Sequence, residues 1–426
     1  MGRKYKMWTG IALALLLVLS GCGRSETQES TASPTVPPYL LPSGQASSSS
    51  AEETESDGIY LVPNAAAVLS EEELQKKESA RERAAAIAAE MTETELICQL
   101  MIVYPEAVSP EITAVDAAGN LLQEYPVGGL LLRSQNAESE EQLQTLIRDL
   151  QKASAVPLLI LAEEEGGRTV TFMKTLEQPT VRNMFSYRGD GLARAFLNAQ
   201  QLAENLASLG INADLAPVTD VWSDLENRNI GERAYGDSFV KTAELIAEAV
   251  KGFHSRKTIC TLKYFPGSGE AVPLEKKSPI AVLNKSEAEL RRGELIPYAA
   301  GIAAGADMVM IGNLQLPQLD PNNLAPFSSK VVTGLLREEM GFDGVIITDL
   351  LYPILSEQFL SPELAGLKAL MAGCDLVLCP LTDESAFEEY FTVLLAALEA
   401  ENITRERLEE SVIRVLTLKI LYGILP

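Results

Sequence analysis

The chain has 426 residues, 46% of them apolar and 22% charged, with 35 Lys and Arg against 59 Asp and Glu and a formal net charge of −24. A surface this acidic, with a sequence pI near 4.6, repels polyanions and argues against nucleic acid or an anionic lipid surface as a partner. A single histidine in the whole chain argues equally against a histidine-based zinc site and a Ser/His/Asp triad.

Taken in chain order, Arg3, Lys4 and Lys6 precede an apolar run from Ile11 to Leu19 that closes on Leu19-Ser20-Gly21-Cys22. This is the pattern of a lipoprotein signal, its apolar core of about ten residues falling well short of the roughly twenty that span a bilayer. Residues 1–21 are expected to be removed and Cys22 to carry lipid. The mature protein is then extracytoplasmic and held to a bacterial membrane through that lipid anchor alone. Residues 22–69 are rich in Ser, Thr, Pro and Glu, too poor in large apolar groups to offset the entropy of ordering, and read as a flexible stalk. Residues 70–426 have the composition and length of one α/β domain.

Within that domain short apolar runs alternate with longer amphipathic ones, the pattern of a parallel sheet wrapped by helices. Thr92 with Glu95, and Ser139 with Gln142, have the spacing of capping boxes at helix starts. Predicted strands are Gly128 to Leu132, Pro157 to Ala162, Ala213 to Pro217, Thr258 to Lys263, Met308 to Gly312, Gly344 to Thr348 and Leu376 to Cys379. Seven are distinct and an eighth is not; the fold class is α/β, and the repeated unit favours a (β/α)8 TIM-like barrel in a single domain with a degenerate strand over a doubly wound sheet, the alternative that periodicity alone leaves open. His254 lies in the helical run Thr242 to Arg256 and reads as structural or solvent-facing. The last helix, Thr404 to Tyr422, ends at Gly423. Cys98, Cys260, Cys374 and Cys379 have no metal-ligand spacing and read as buried free thiols, and neither a metal nor a cofactor is expected.

In such barrels the site is built at the carboxyl ends of the strands. Five polar stations stand there: Glu163-Glu164-Glu165-Gly166-Gly167-Arg168; Thr219-Asp220; Asn229 to Gly236 with Arg233 inside it; Lys263-Tyr264 with the glycine-rich Pro266-Gly267-Ser268-Gly269; and Thr348-Asp349. Carboxylates with a Lys and one or two Arg suit a hydroxyl-rich ligand, which needs acceptors and fixed donors together.

Taken in this order, the stations resemble the N-terminal catalytic domain of glycoside hydrolase family 3, in its bacterial β-N-acetylglucosaminidase branch. Further landmarks of the likeness are Met91-Thr92 with Gln99, Val127-Gly128-Gly129, Gly210-Ile211-Asn212, Gly341-Phe342-Asp343-Gly344 and Ala372-Gly373-Cys374-Asp375. The resemblance implies that Asp349 is the nucleophile of a retaining mechanism. It also implies that Asp220, Arg233 and Lys263, with Tyr264, Glu165 and Arg168, bind the sugar. Departures from the family pattern fall on the chemistry. The Lys-His pair is Lys263-Tyr264, the loop dyad that supplies the general acid/base has no match, Leu350 follows the nucleophile, and Thr171 stands where an Arg is usual. Glu270 and Glu275 are the carboxyls in the altered loop that could take the acid role if desolvation raised their pKa. The expected activity is removal of terminal N-acetylglucosamine from cell-wall or other glycans by a monomer whose only ligand is carbohydrate. The alternatives are a pseudoenzyme that binds amino sugar or peptidoglycan without turnover, and a scaffold lipoprotein.

Overall fold

The computed structural model describes residues 70–109, 113–114, 118–273, 280–352, 358 and 360–426. The expected signal, the lipidated Cys22, the stalk and Glu275 lie outside the described residues.

Twelve strands run in chain order as β1 (Met101–Val103), β2 (Gly129–Leu131), β3 (Leu159–Ala162), β4 (Ala213–Asp214), β5 (Ile259–Phe265), β6 (Val272–Pro273), β7 (Ala281–Val282), β8 (Met308–Ile311), β9 (Leu314–Leu316), β10 (Asp320–Leu324), β11 (Val345–Thr348) and β12 (Val377–Cys379). Eight of them form one sheet in the order β11-β8-β5-β4-β3-β2-β1-β12. The neighbours are parallel throughout. Ile347 bridges Leu376, bringing β11 back to β12, and the Thr348 N–H donates to the Leu376 carbonyl at 3.1 Å. The result is an α/β barrel. The other four strands make a small sheet, β10-β9-β7-β6, inserted after β5 and β8.

The strand that the sequence pattern leaves indistinct is β1. Leu96, Ile97, Cys98, Leu100, Met101, Ile102 and Val103 are all buried, in a run interrupted only by Gln99, itself buried. A short helix, Glu93–Gln99, therefore passes into a strand with no exposed residue or turn signal between them, the one polar side chain, Gln99, being buried and donating to the Pro126 carbonyl at 2.6 Å. Periodicity cannot divide such a run. Every strand end named from the sequence thus belongs to a barrel position one later than its apparent rank.

Alternation along the strands separates two packed layers. Ile102, Leu131, Leu159, Leu161, Ala213, Ile259, Met308, Met310, Val345, Ile347 and Leu378 point into the barrel, where Val415 and Leu418 of the helix Arg405–Leu421 join them. Their neighbours Leu130, Ile160, Cys260, Leu262, Val309, Ile346 and Val377 face the surrounding helices. Each fully buried aliphatic side chain contributes on the order of 1.5–3 kcal/mol. Tyr422 and Ile424 pack against the inner layer just beyond that last helix. At the opposite, carboxyl end of the strands, Tyr104, Tyr264 and Leu350 cover it.

Thr92 and Glu95 form the expected capping box. At Ser139 only half of one exists. Its hydroxyl accepts from the Gln142 N–H at 3.2 Å, but Gln142 Oε1 reaches past it to the N–H of Glu138 at 2.8 Å.

Candidate active site

The site begins where β3 runs out. Strand alternation sends Glu163, Glu164 and Glu165 in different directions, and Gly166 and Gly167, at φ +80° and +62°, then fold the chain back. A side chain at Gly167 would sit 2.8 Å from the Asn183 backbone. Glu164 points away from the barrel axis and organises the following loop. Its Oε1 accepts from the N–H groups of Thr171 at 2.8 Å, Met173 at 3.3 Å and Phe172. Burial pushes this carboxyl up to about 7 against those backbone bonds.

Glu165 turns inward onto Lys263, the most deeply buried cation of the mouth, which has no exposed side-chain surface. Lys263 Nζ donates to Glu165 Oε1 at 2.7 Å and to Glu163 Oε1 at 2.9 Å. Arg233 meets the same Glu165 as a fork, Nε to Oε2 and Nη2 to Oε1, both at 2.7 Å. Burial alone would raise the Glu165 carboxyl. The two cations outweigh it and hold the group at about 2, well below the ordinary 4.5.

Tyr264 completes the cluster from the residue after Lys263. Its hydroxyl accepts from Arg233 Nη2 at 2.6 Å, and its ring centroid lies 5.2 Å from both Lys263 Nζ and Arg233 Cζ. It does so at φ +77°, a conformation that costs an aromatic residue of order 1–3 kcal/mol and tends to be kept at functional sites. Burial pushes its phenol up to about 12.

Asp349 follows β11 directly and is part-buried. Its Oδ1 accepts from the Leu350 N–H at 2.7 Å, and Oδ2 lies 3.4 Å from Asn313 Nδ2. Burial raises this carboxyl to about 6; Lys263, the Leu350 N–H and Arg233 pull it down, while Glu163 pushes it up. The charges acting on Asp349 are therefore those of the Lys263 cluster, and the two form one electrostatic site.

Three sequence-predicted residues stand elsewhere. Asp220 is 2% exposed and lies beneath the glycine-rich loop, bonded to that loop rather than to the Lys263 cluster. Its Oδ1 accepts the Ser268 N–H, while Oδ2 has no hydrogen-bond partner among the described residues. Burial pushes it up to about 7. Asn227 grips the same loop from the other side, donating to the carbonyls of Ser268 at 2.7 Å and Gly269 at 3.1 Å. Arg168 is exposed and spends its Nη2 on the carbonyls of Arg228 at 2.8 Å and Asn229 at 2.6 Å. It positions the loop that carries Arg233. Glu270 is ion-paired to Lys285 Nζ at 2.6 Å. Burial would raise its carboxyl, yet the bonds from Lys285 and Ser223 prevail and lower it. A carboxyl held ionised is a poor proton donor, so the desolvated acid expected there is not formed. Glu270→Gln is expected to change kcat/KM less than about threefold, against the hundredfold or more that loss of a working general acid costs. Steady-state rates on an unactivated aryl glycoside check it.

Two strand ends unread in the sequence add to the mouth. Arg133, just after β2, stacks 3.8 Å over the ring of Tyr104, which follows β1, and its Nη2 pairs with Glu106. Recognising β1 would have found Tyr104; Arg133 directly follows the predicted strand Gly128 to Leu132 and carries its own signal. Asn313 follows β8 as a polar residue at a strand end, a signal of the same kind. The chain's one histidine is far from all of these. His254 bonds Asp307, the residue before β8, and so lies at the amino ends of the strands.

An eight-stranded parallel barrel with a buried Lys–Arg–Glu cluster and a raised Asp at its carboxyl mouth defines a (β/α)8 protein with a charged site at the carboxyl ends of its strands. Residues 95–418 match the glycosyl hydrolase family 3 N terminal domain, and the chain belongs to that family. A β-hexosaminidase of Stenotrophomonas maltophilia (strain K279a) is 33% identical over 273 residues, covering 63% of this chain and 80% of that protein. β-Hexosaminidase A of Pseudoalteromonas piscicida is 29% identical over 324 residues, 70% of this chain, which spans only 54% of that relative's length. Among solved structures, a glycoside hydrolase family 3 β-N-acetylglucosaminidase from Paenibacillus sp. str. FPU-7 superposes with a TM-score of 0.72 at 32% identity, covering 78% of this chain and 63% of that one.

Proposed function

We propose that this protein is a retaining β-N-acetylhexosaminidase, a lipid-anchored monomer outside the bacterial cytoplasm that removes terminal N-acetylglucosamine from cell-wall glycans. The observation that carries the reading is the shared electrostatics of Asp349 with Lys263, Arg233 and Glu163 at the carboxyl mouth of the barrel. The hexosaminidase relatives support the substrate class.

Asp349 attacks the anomeric carbon, the C1–O bond to the leaving group breaks, and a covalent glycosyl-enzyme forms that water then hydrolyses. Lys263 and Arg233, already locked by Glu165, keep their hydrogen-bonding geometry without reorganising when sugar arrives. Since the single histidine stands at the other end of the barrel and Glu270 is held ionised, natural leaving groups depart without the usual proton donor. Turnover of unactivated glycosides is correspondingly slow.

A dinitrophenyl β-N-acetylglucosaminide tests this, because its leaving group needs no proton. A covalent sugar on Asp349, seen as a mass increase of the intact protein, supports the reading. Absence of both adduct and dinitrophenol release turns it toward the second reading, an amino-sugar-binding protein without turnover, which the displaced histidine favours. With the same substrate, kcat/KM is expected to fall as pH drops through about 6, where burial sets the Asp349 carboxyl. Only the ionised form attacks, so protonation below that pH removes the nucleophile. A profile flat from pH 5 to 8, spanning that value, would show that another group controls the first step.

A further inference from the structure

At the foot of the barrel, opposite the sugar site, three chemically different donors converge. His254 is the last residue of the helix Phe239–His254, Cys260 is the second residue of β5, and Asp307 immediately precedes β8. The strands β5 and β8 are neighbours, with Thr261 opposite Met308, so Cys260 and Asp307 lie side by side. The helix returns to the start of β5 and lays the imidazole against both. His254 Nε2 is 2.9 Å from Asp307 Oδ2 and 3.8 Å from Cys260 Sγ, and all three donor atoms fall within 4.8 Å of one another.

We infer that His254, Cys260 and Asp307 form a binding site for one zinc-type divalent ion that clamps the foot of the barrel. Ligand atoms around a tetrahedral ion with bonds of about 2.0–2.3 Å stand about 3.3–3.8 Å apart; the His254–Cys260 separation of 3.8 Å already fits, the His254–Asp307 pair opens from 2.9 Å by a few tenths of an ångström, and the third pair, within 4.8 Å, closes by at most about an ångström. Imidazole, thiolate and carboxylate together select zinc or cobalt over magnesium or calcium, which prefer oxygen alone. The charges close as well: a doubly charged ion with one thiolate, one carboxylate and a neutral imidazole is neutral. The ion displaces the thiol proton and the proton shared by His254 and Asp307, both to solvent, with no change of oxidation state.

Two neighbours suit the assignment. The Tyr422 hydroxyl donates to Asp307 Oδ1 at 2.8 Å and the Cys260 N–H donates to Oδ2 at 3.0 Å, fixing the carboxylate as outer partners do in metal centres, with the second lone pair of Oδ2, now turned to His254, toward the ion. A cation here also faces the negative end of the helix that His254 terminates. Access is from solvent along the imidazole, whose side chain is 31% exposed, while Cys260 is buried. Three protein donors leave a fourth position for water, and the clamp ties together a helix, two barrel strands and the C-terminal segment. Chain separations of 6 and 47 residues (260 less 254, 307 less 260) hide this grouping from any spacing rule.

The test is a titration of the chelator-treated protein with Co2+. One ion per chain is expected, with a thiolate-to-cobalt charge-transfer band that one equivalent of Zn2+ abolishes, and with a higher Tm. Cys260→Ser should remove the band. Tyr422→Phe, which keeps every donor, should retain the band and weaken binding about 10–100-fold. No band at excess Co2+ in the unmodified protein, or a band that survives Cys260→Ser and so arises from another thiol, overturns the assignment. Because the first of these outcomes needs no variant, a misfolded substitution cannot shelter the proposal, and sugar-site activity does not enter the readout.

Discussion

Replacing Asp349 with Asn is expected to lower kcat on dinitrophenyl β-N-acetylglucosaminide on the order of 10^4-fold or more and to abolish the covalent adduct, with little change in KM. Asn has the volume of Asp, and its carbonyl can still accept the Leu350 N–H that holds Oδ1 at 2.7 Å. What the variant loses is the charge that attacks the anomeric carbon, which matters only in the transition state, so the loss falls on kcat. The measurement is burst and steady-state dinitrophenol release beside intact mass. An adduct of undiminished yield in the Asn variant would move the nucleophile to another carboxylate and dismantle the proposed mechanism.

The second large effect is on stability. Glu165→Ala should cost about 3–5 kcal/mol, because it leaves Lys263 and Arg233 buried without their shared counter-charge. Lys263 would keep only Glu163, whose side chain is 39% exposed and therefore screened by solvent, the weaker of its two carboxylate partners. Glu163→Gln is accordingly expected to cost no more than about 1 kcal/mol, and urea unfolding of the two variants at pH 7 separates them. A pH series adds a signature. The folded Glu165 carboxyl is held at about 2 against an ordinary 4.5. Its contribution is therefore complete above pH 4.5 and drains away as pH falls toward 2, because the unfolded chain takes up the proton first. Glu165→Ala should lack that part of the acid slope. Equal slopes in both proteins would mean that the cluster is not the buried ion pair it looks to be.

Much of this site is readable along the chain because strand ends advertise themselves. Glu163 to Arg168, Lys263-Tyr264 and Asp349 each follow a buried apolar run, and the barrel sets them at one mouth. What cannot be read is partnership. Lys263 and Glu165 are 98 residues apart, and no local pattern tells that Glu165 will serve both cations at once. Asp220 follows β4 as a sugar-binding group might, yet the chain beyond folds over it and the Ser268 N–H takes its oxygen. Glu270 stands in an acidic loop that suggests a desolvated acid until Lys285, across the small sheet, pairs with it. Arg168 has the right neighbours in sequence, but its reach is spent on two carbonyls of the loop bearing Arg233. In β1 the difficulty is of another kind: the residues from Leu96 to Val103 are all buried, so neither helix nor strand leaves its period across the junction, and Tyr104 goes unseen with it.

The double engagement of Glu165 bears on selectivity. A lysine and an arginine at a pocket mouth would ordinarily draw in carboxylated or phosphorylated sugars and make their capture sensitive to ionic strength. Here the charge of both cations is already met by Glu165 and Glu163, though each keeps an N–H for a neutral hydroxyl, so an anionic ligand gains no open counter-charge from this cluster and meets three carboxylates, Glu163, Glu165 and Asp349. On the proposed function, the mouth is expected to discriminate by repulsion, favouring uncharged hexosamines over acidic ones, and its grip on a neutral sugar should vary little with salt.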